Sequence, residues 1–397
     1  MSWHDELREL AASLGSGIRR GADSLERLVD RDPYHIVGYR GYGAGGRALV
    51  LGRVLEHEGL ALPEPGHSKL RNLLAMLKRL ESDPLPLARV KAPLPEGDRE
   101  FVADDEGFLR EWIDLPTTEP GWSTVRLELA DRRADVPSAV EAPILVPLPS
   151  AAYGVISDMD DTVIQSEVTN FLRAARIVLL ENALTRLPFP GVAGFYRALA
   201  AGSTGCSANP IFYVSSSPWN LYDVIMEFLE AQGIPLGPAL LRDWDLGLSL
   251  LSNVSHKGGH IREILQTFSS LPFILIGDTA QEDPEIYTEI VTAHPDRVLA
   301  VYIRNVRPHP ERSAAVQQLA RRVAQAGSSL VLADDTLTAA SHAAVHGWIS
   351  REALPEIGEE KRADEGAGGK EASPGVEKGE PVPTLVVDPD LKAADLE

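Results

Sequence analysis

The stretch YGVISDMDDT, residues 153–162, places three aspartates directly after a short apolar run. Such a run is typical of a strand that is buried in a parallel sheet. Residues two apart in an extended chain point to the same side, so Asp158 and Asp160 share a side and Asp161 faces away. Two neighbouring carboxylates repel each other unless a cation lies between them or one carries a proton. The pair therefore indicates a catalytic or metal-binding site at a strand end or, as the alternative, a turn of solvated aspartates.

The residues that follow predict the sheet to which this strand belongs. Apolar runs alternate with helical patterns between residues 148 and 352, and the predicted strands are YGVISD, IFYVSS, ALLRD, FILIGD, VLAVYIR and SLVLAD. This alternation is typical of an α/β fold with a parallel sheet, helices on both faces and right-handed crossovers. Ligands of such sheets bind outside the carboxyl ends of the strands, where Asp158, Ser215 and Asp278 all fall.

Three other regions differ from this one in composition. Residues 1–30 have apolar residues at helical spacing and predict an amphipathic helix, which packs on the protein or contacts a membrane or a partner. Residues 31–147 contain regularly spaced strands and predict a β-sandwich-like accessory domain. Residues 353–397 are acidic and poor in apolar residues, which predicts a disordered tail. Its apolar stretch TLVVDPDL is either incidental or a short docking peptide.

The composition of the whole chain narrows the functional classes. The 397 residues carry a formal net charge of −20, which disfavours binding to nucleic acid and to an anionic membrane surface. The one cysteine, Cys206, cannot form an intramolecular disulfide. No apolar run is long enough for a transmembrane helix, and the charged N-terminus differs from a signal peptide. We therefore expect a cytoplasmic protein, whose oligomeric state the sequence does not indicate.

Two further polar residues lie near predicted strand or helix ends. In IFYVSSSPWNLY, Pro218 suits the first position of a helix, which makes Ser217 the expected N-cap and lets Ser215 donate a hydrogen bond to an anion. In SNVSHKGGHIREIL, Lys257 lies at a glycine-rich helix start, where backbone N–H groups and a lysine can hold phosphate oxygens. The alternative for Lys257 is a solvated lysine on a helix surface.

The segment FILIGDTAQEDPEIY repeats the pattern of an apolar strand followed by carboxylates. Oxygen ligands that converge from separate strands suit Mg²⁺, which uses few protein carboxylates and keeps several waters. Asp278 is the better ligand candidate. Asp283 precedes a proline and is either the N-cap of the next helix or a residue that supports the metal site.

Taken in order, DMDDT, Ser215, Lys257 and GDTAQED resemble the four motifs of the haloacid dehalogenase superfamily of phosphohydrolases. More narrowly, YVSSSPWNLY, FPGVAGFY, LRDW and FILIGDTAQEDPEIY are similar to the catalytic domain of actin-patch-protein type phosphatidate phosphatases, which are related to the lipins. The resemblance covers about residues 145 to 350 and implies a Rossmann-like parallel sheet of the haloacid dehalogenase type. The short gaps between the motifs predict a minimal cap, with no large lid domain.

The resemblance also implies roles for single residues. Asp158 would be the nucleophile that forms an aspartyl-phosphate, and Asp160 would be the general acid and base. Mg²⁺ would be held by the Asp158 carboxylate, the Asp160 backbone carbonyl and Asp278, with Asp283 as a supporting candidate. The implied phosphate-binding residues are Thr162, Ser215 and Lys257. Asp161 stands where lipins carry glycine, so the substrate preference of lipins does not transfer automatically.

The expected function is Mg²⁺-dependent hydrolysis of a phosphomonoester, with phosphatidate or a similar lipid phosphate as substrate and with diacylglycerol and phosphate as products. Residues 169–186 combine apolar residues with arginines and form either an interfacial helix, in peripheral contact with a membrane, or an ordinary packed helix. Two alternatives stay open: a phosphatase for a soluble or protein-borne phosphate, and a catalytically silent module that binds lipid or protein. The intact set of Asp158, Ser215, Lys257 and Asp278 argues against the silent module.

Overall fold

The computed structural model describes residues 33–56, 84–115, 119–131, 138–159, 189–242, 253–306, 310–368 and 385–390. The predictions for the N-terminal helix, for residues 169–186 and for Asp160, Asp161 and Thr162 lie outside the described residues.

Two seven-stranded sheets organise the described part of the chain. The first contains β1 (Tyr34–Ala44), β2 (Arg47–Glu56), β3 (Arg89–Ala92), β4 (Arg99–Val102), β5 (Phe108–Asp114), β6 (Gly121–Leu129) and β7 (Ala139–Val146). The second contains β8 (Gly154–Asp158), β9 (Ile211–Pro218), β10 (Ala239–Arg242), β11 (Phe273–Asp278), β12 (Val298–Arg304), β13 (Ser329–Ala333) and β14 (Leu385–Val387). The described helices are α1 (Val192–Ala201), α2 (Tyr222–Ala231), α3 (Asn253–Thr267), α4 (Asp283–Ala293), α5 (Pro310–Gln325), α6 (Thr336–Val345) and α7 (Ala353–Gly368). Within the described ranges, no helix has the length and apolarity needed to cross a bilayer.

The first sheet is one curled sheet, whereas the sequence predicts a sandwich. Its order is β4-β3-β6-β7-β1-β2-β5, every neighbouring pair is antiparallel except β1 with β7, and the outermost strands β4 and β5 contact each other. A bulge between Tyr39 and Tyr42 interrupts the pairing of β1. Gly41 permits it, because a Cβ there would lie 1.9 Å from the carbonyl oxygen of Leu49. Bulges bend and twist strands. The described strands of this sheet curl around their own buried core, which includes Val50, Val90 and Leu127.

The second sheet has the predicted parallel arrangement. Its order is β10-β9-β8-β11-β12-β13-β14, and the strands from β10 to β13 are parallel. The chain passes from β8 to β9 and β10 on one side and then to β11, β12 and β13 on the other. Where the order reverses in this way, a crevice opens at the carboxyl ends of the strands. The strand that carries Asp158 therefore borders the position where a ligand is expected.

A shared apolar core joins the two sheets. Tyr39 and Tyr42 of β1 belong to the same buried cluster as Trp219, which directly follows β9. The ring centroids of Tyr39 and Trp219 are 4.9 Å apart and the rings are stacked. The Arg53 guanidinium of β2 also donates a hydrogen bond to the Asn220 side-chain oxygen. The first sheet therefore packs against the segment that follows the carboxyl end of β9.

The contact between β5 and α3 makes a contribution to stability that depends on pH. Glu263 of α3 accepts hydrogen bonds from the Arg110 guanidinium and, at 3.2 Å, from Trp112 Nε1. Burial by itself would raise the pKa of the Glu263 carboxyl, but His260, Arg110 and Trp112 outweigh burial and lower that pKa from 4.5 to about 2. The folded state therefore holds Glu263 ionised over a range in which the unfolded chain protonates it.

We expect Glu263→Gln to lower the free energy of unfolding by about 1–2 kcal/mol near pH 7, after allowance for solvent screening. Because the folded-state pKa is depressed, the difference from wild type is fully present above pH 4.5 and decreases as the pH falls towards 2. Urea unfolding at a series of pH values measures it. Glu289→Gln is the control, because Glu289 faces Arg262 at 3.9 Å in a largely exposed pair; an equal effect of both substitutions would contradict the assignment.

The predicted disorder of residues 353–397 is wrong for the two parts of this region that the structure describes. Helix α7 packs against α1 and α6 and buries Ile357. Its Glu360 pairs with Arg197 of α1. Strand β14 pairs antiparallel with β13, so the apolar stretch near the end of the chain docks on the protein's own sheet. The acidic composition predicts disorder, but Glu356 and Glu360 of α7 pair with Arg197 of α1. A local sequence pattern does not reveal a partner that lies so far away in the chain.

Candidate active site

Three strand ends of the second sheet meet beside the crevice. Asp158 is the last residue of β8, and Val214 of β9 pairs with it in register. Ser215 therefore lies one step beyond Asp158 on the neighbouring strand. On the other side, β11 runs parallel to β8 and ends at Asp278. The parallel register thus brings Asp158, Ser215 and Asp278 to the same edge of the sheet.

Lys257 binds two carboxylates at this edge. Its Nζ lies 2.9 Å from Asp158 Oδ1 and 2.5 Å from Asp283 Oδ1. The side chains of both aspartates are 0% exposed, and that of Lys257 is 5% exposed. Burial opposes the charge on Lys257, but the carboxylates of Asp158 and Asp283 outweigh it and raise the pKa of the amine. Lys257 is therefore a buried cation, and the alternative of a solvated surface lysine is wrong.

Asp283 also supports the end of β11. The backbone N–H of Asp278 donates to Asp283 Oδ2 at 3.1 Å. Asp283 is the first residue of α4, whose N-cap is Glu282, so the N-cap alternative for Asp283 is wrong. Asp278 Oδ1 accepts hydrogen bonds from the N–H groups of Ala280, at 2.5 Å, and Gln281, at 3.1 Å. The loop after β11 is therefore folded back over the strand end.

Arg312 of α5 holds this loop, and motif reasoning missed it. Its Nε donates to the carbonyl oxygen of Thr279 at 3.1 Å, and its Nη2 donates to that of Gln281 at 2.7 Å. The same guanidinium pairs with Glu285 of α4. The loop in turn places the Gln281 side-chain amide 3.5 Å from Asp158 Oδ2. The sequence around Arg312 contains no motif that distinguishes it from other arginines on helices.

Asp158, Asp278 and Asp283 form a cluster that could hold a metal ion. Each offers a carboxylate oxygen, the three oxygens lie within 4.8 Å of one another, and all three residues are buried. Among the described residues, these three carboxylates lie next to one ammonium, that of Lys257, so negative charge exceeds positive charge in the cluster if all are ionised. Ligands that are all oxygen suit hard divalent cations such as Mg²⁺. The residues present therefore fit the cation that the sequence predicts.

Gly277 permits the close approach of Asp283 to β11. A Cβ on residue 277 would lie 2.5 Å from Asp283 Oδ2 and 2.8 Å from the ring of Tyr287. We expect Gly277→Ala to displace Asp283, to lower the free energy of unfolding by about 1–3 kcal/mol and to weaken Mg²⁺ binding. Chemical unfolding and the rise in Tm with added Mg²⁺ measure the two effects.

Gly259→Ala on α3 is the matched control for this substitution. A Cβ on residue 259 meets nothing within 4 Å, and alanine is the better helix former, so we expect a gain of about 0.5–1 kcal/mol. If both substitutions had the same effect, the contact of residue 277 with Asp283 would not be the cause.

Ser215 lies in a different local context from the one predicted. Strand β9 continues to Pro218, whose backbone is extended, and a short 3₁₀ turn at Trp219–Leu221 precedes α2. The predicted N-cap role of Ser217 is therefore wrong. The backbone N–H of Ser217 donates to Ser215 Oγ at 2.9 Å instead. A hydroxyl that accepts this bond can still act as a donor, so the geometry is compatible with a contact from Ser215 to an anion.

Two more residues near β8 emerge only from the structure. The Tyr196 hydroxyl lies 2.6 Å from the Oγ of Ser157, the residue that precedes Asp158. Arg304 is the last residue of β12, and its guanidinium carbon Cζ lies 3.1 Å from the centroid of the Phe189 ring. Burial lowers the pKa of Arg304 to about 9, with opposing contributions from Tyr196, Asp335 and Asp278. Arg304 therefore adds positive charge near the edge where the carboxylates converge.

Sequence comparison relates part of this chain to known proteins. Residues 153–305 match a family model described as the catalytic domain of the phosphatidate phosphatase APP1. The chain is 30% identical to Phosphatidate phosphatase APP1 of Saccharomyces cerevisiae over 154 residues, which are 38% of this chain and 25% of that protein. It is 26% identical over 249 residues to an uncharacterized protein, C29B5.04c, of Schizosaccharomyces pombe, across 59% of this chain and 40% of that protein. The chain thus spans less than half of the length of either relative.

Among the solved structures that the chain matches, apo β-glucuronidase 3 from Bacteroides uniformis is 9% identical and has a TM-score of 0.22 over 72% of this chain and 37% of the other. A likeness at this level supports no conclusion about fold or function. The sequence comparisons do support one: residues 153–305 are similar to the catalytic domain of APP1-type phosphatidate phosphatases, which confirms the narrower of the two resemblances drawn from the motifs.

Proposed function

We propose that the chain is a phosphomonoesterase that reacts at the edge formed by Asp158, Lys257 and Asp278, and that phosphatidate or a similar lipid phosphate is its substrate. The observation that carries the enzymatic part is the buried cluster in which Lys257 bridges Asp158 and Asp283. Burying charged groups together costs folding free energy unless their contacts offset it. Such clusters in a crevice are typical of active sites.

We place this site in a Rossmann-like domain of the haloacid dehalogenase type, with a minimal cap, that extends over residues 148–352. The central position of β8 and the reversal of strand order beside it support this placement. Residues 31–147 are then an accessory domain, and residues 1–30 are a helical segment before it. Because Tyr39 and Trp219 share one buried core, we infer that the accessory domain stabilises the segment after β9.

In the proposed reaction Asp158 is the nucleophile. One of its oxygens attacks phosphorus, the bond from phosphorus to the alcohol oxygen breaks, and an aspartyl-phosphate forms. Water then attacks the same phosphorus and releases inorganic phosphate, so phosphatidate and water give diacylglycerol and phosphate. Lys257 Nζ, at 2.9 Å from Asp158 Oδ1, orients the carboxylate and stabilises negative charge on the phosphoryl oxygens.

Two of the proposed groups, Asp160 and Thr162, lie outside the described residues. Their roles follow from the resemblance: Asp160 protonates the departing alkoxide and later deprotonates the attacking water, and Thr162 binds a phosphoryl oxygen. Ser215 is the second hydroxyl for the phosphoryl group. Its position one step beyond Asp158, on the neighbouring strand, supports this role.

Mg²⁺ is the proposed cofactor, held by the carboxylates of Asp158 and Asp278 and by the backbone carbonyl of Asp160. Asp283 supports these ligands through Lys257 and through the N–H of Asp278. When bound, the cation offsets the charge of the carboxylates and polarises the phosphoryl oxygens.

The lipid nature of the substrate rests on the comparison. The matched family is described as a phosphatidate phosphatase, and the matched residues 153–305 include the whole carboxylate cluster. A phosphatase that acts on a lipid in a bilayer has to contact the membrane surface. Residues 1–30 and 169–186 are the candidate segments for that peripheral contact, because they combine apolar and charged residues at helical spacing.

A phosphate-release assay tests the proposal. The purified chain is incubated with phosphatidate in mixed micelles, and separately with a panel of soluble phosphomonoesters, with Mg²⁺ or with EDTA. We expect release of phosphate and diacylglycerol from phosphatidate only when Mg²⁺ is present. Release from soluble esters alone would refute the lipid substrate, and release from none of them would refute the enzymatic function and favour a binding module.

A further inference from the structure

A second cluster of metal-ligating side chains lies outside the candidate active site. His342 and His346 are four residues apart on α6, so their side chains share one face of the helix. Asp388 follows β14 directly. The Nε2 atoms of His342 and His346 lie 2.7 Å and 2.6 Å from the same oxygen, Asp388 Oδ2. Two imidazoles and a carboxylate from distant parts of the chain thus converge on one point.

We propose that His342, His346 and Asp388 bind a zinc ion that fastens residues 385–390 to α6. Imidazole nitrogens and a carboxylate oxygen are ligands that Zn²⁺ takes, and a histidine pair four apart on a helix is a known zinc-binding arrangement. Mg²⁺ prefers sites composed only of oxygen, so this donor set separates the second cluster from the carboxylates around Asp158.

The burial of Asp388 favours a cation at this position. Its side chain is 1% exposed. In the part of the chain that the structure describes, its salt-bridge partners are the two histidines, and neither a lysine nor an arginine pairs with it. Burial of a carboxylate that has neither a lysine nor an arginine as partner is costly in free energy. A divalent cation between the three ligands would offset it.

Neighbouring groups hold each ligand in the orientation that a metal requires. Tyr302 Oη lies 3.0 Å from Nδ1 of His342, so the second ring nitrogen is engaged and Nε2 is aimed at Asp388. The second oxygen of Asp388 accepts a hydrogen bond from the N–H of Asp390 at 2.7 Å. The His346 ring stacks on Trp348, with centroids 4.5 Å apart. Partners of this kind fix metal ligands in proteins and are part of the site.

The change in geometry that zinc requires is small. Tetrahedral zinc with bonds of about 2.1 Å keeps its donor atoms roughly 3.4 Å apart. The nitrogens of His342 and His346 are 2.7 Å and 2.6 Å from Asp388 Oδ2, so each has to move away from that oxygen by about 0.7–0.8 Å.

A zinc ion here would hold β14 to the edge of the second sheet. The strand spans only Leu385–Val387 and pairs with Leu330, Val331 and Leu332 of β13. A three-residue strand at the edge of a sheet is held by few hydrogen bonds and opens easily unless something fixes it. The side chain of Asp388, the next residue, would provide that anchor through the metal.

The test uses the untagged chain, freed of metal with a chelator and then titrated with Zn²⁺ in excess Mg²⁺, with a chromophoric zinc indicator as competitor. We expect the wild type to bind one zinc ion per chain at this site. In Asp388→Asn and in His346→Gln we expect that ion to be lost, and in Tyr302→Phe a weakening of about 10- to 100-fold. His294→Gln, a histidine outside the cluster, is the control and should bind like the wild type.

Thermal unfolding gives a readout that is independent of any catalytic activity. Zn²⁺ should raise the Tm of the wild type and of His294→Gln and leave that of Asp388→Asn unchanged, while circular dichroism verifies that each variant is folded. The proposal is overturned if the wild type takes up no zinc under these conditions, or if Asp388→Asn and His346→Gln bind it as the wild type does. In either outcome the three residues form a hydrogen-bonded contact only.

Discussion

Replacing Asp158 by asparagine is expected to reduce phosphate release by about 10³-fold or more while the protein stays folded. The amide keeps the shape of the side chain but is not a nucleophile and is a poor metal ligand. The substitution also removes the ion pair with Lys257 Nζ at 2.9 Å. It equally removes one of three carboxylates whose oxygens lie within 4.8 Å of one another. These two effects oppose each other, so we expect the free energy of unfolding without metal to change by less than about 1 kcal/mol.

Three measurements on purified protein separate these effects: phosphate release, urea unfolding in EDTA, and the rise in Tm with Mg²⁺. The rise in Tm should be smaller in Asp158→Asn, because the stabilisation that a bound ligand provides decreases as its Kd increases. Asp105→Asn is the matched control, since Asp105 is exposed in the turn before β5 and should retain full activity. Substantial phosphate release by the folded Asp158→Asn protein would refute the nucleophile assignment.

Replacing Lys257 by methionine should have the largest effect on stability. The residue lies between Asp158 and Asp283, both completely buried, and methionine leaves these carboxylates without their cation. Breaking a buried pair in this way costs about 3–5 kcal/mol. Turnover should also fall by about 10²- to 10³-fold, because a cation that stabilises the phosphoryl oxygens is lost. Urea unfolding in EDTA and phosphate release under saturating Mg²⁺ measure the two losses.

A second substitution identifies the origin of this instability. If the loss of the ion pairs with Lys257 is the cause, Lys257→Met combined with Asp283→Asn should recover roughly half of the lost stability, and the double-mutant cycle should show coupling. Lys361→Met is the control: Lys361 is more exposed, it pairs with Glu365 at 3.0 Å and Asp335 at 3.4 Å, and its loss should cost less than about 1 kcal/mol. Equal destabilisation by Lys257→Met and Lys361→Met would rule out the buried network as the source.

The candidate site was predictable to different degrees for different residues. Asp158 and Asp278 follow apolar runs, so their positions at strand ends can be derived from the chain itself. The sequence left two alternatives for Lys257 and for Asp283, because a polar residue near a helix start has the same local pattern whether it is solvated or buried. The distances from Lys257 to the two aspartates show that Lys257 is buried in an ion-paired cluster, and the helix start shows that Glu282, not Asp283, is the N-cap.

Other features have no local signal. Arg312 lies on α5 and donates hydrogen bonds to two backbone carbonyls of the loop after β11. Nothing in the sequence around Arg312 indicates this contact. The pairing of Glu360 with Arg197 likewise joins residues 163 apart, where composition predicts disorder. The bulge of β1 at Gly41 turns an expected sandwich into one curled sheet, because a single extra residue changes the curvature of a strand without changing its apolar pattern.

The sequence alone establishes the parallel α/β character of the second half, the six parallel strands of its sheet, and the aspartates at two of their ends, since hydrophobic periodicity and strand-end chemistry are local properties. Tertiary structure decided which strands are neighbours. Placing β8 between β9 and β11 brings Asp158 next to Ser215 and Asp278, and the helix that follows β10 delivers Lys257 to the same edge. The reason is physical: these contacts depend on crossovers that bring distant segments together, and a charge enters the interior only where its partners from those segments are already in place.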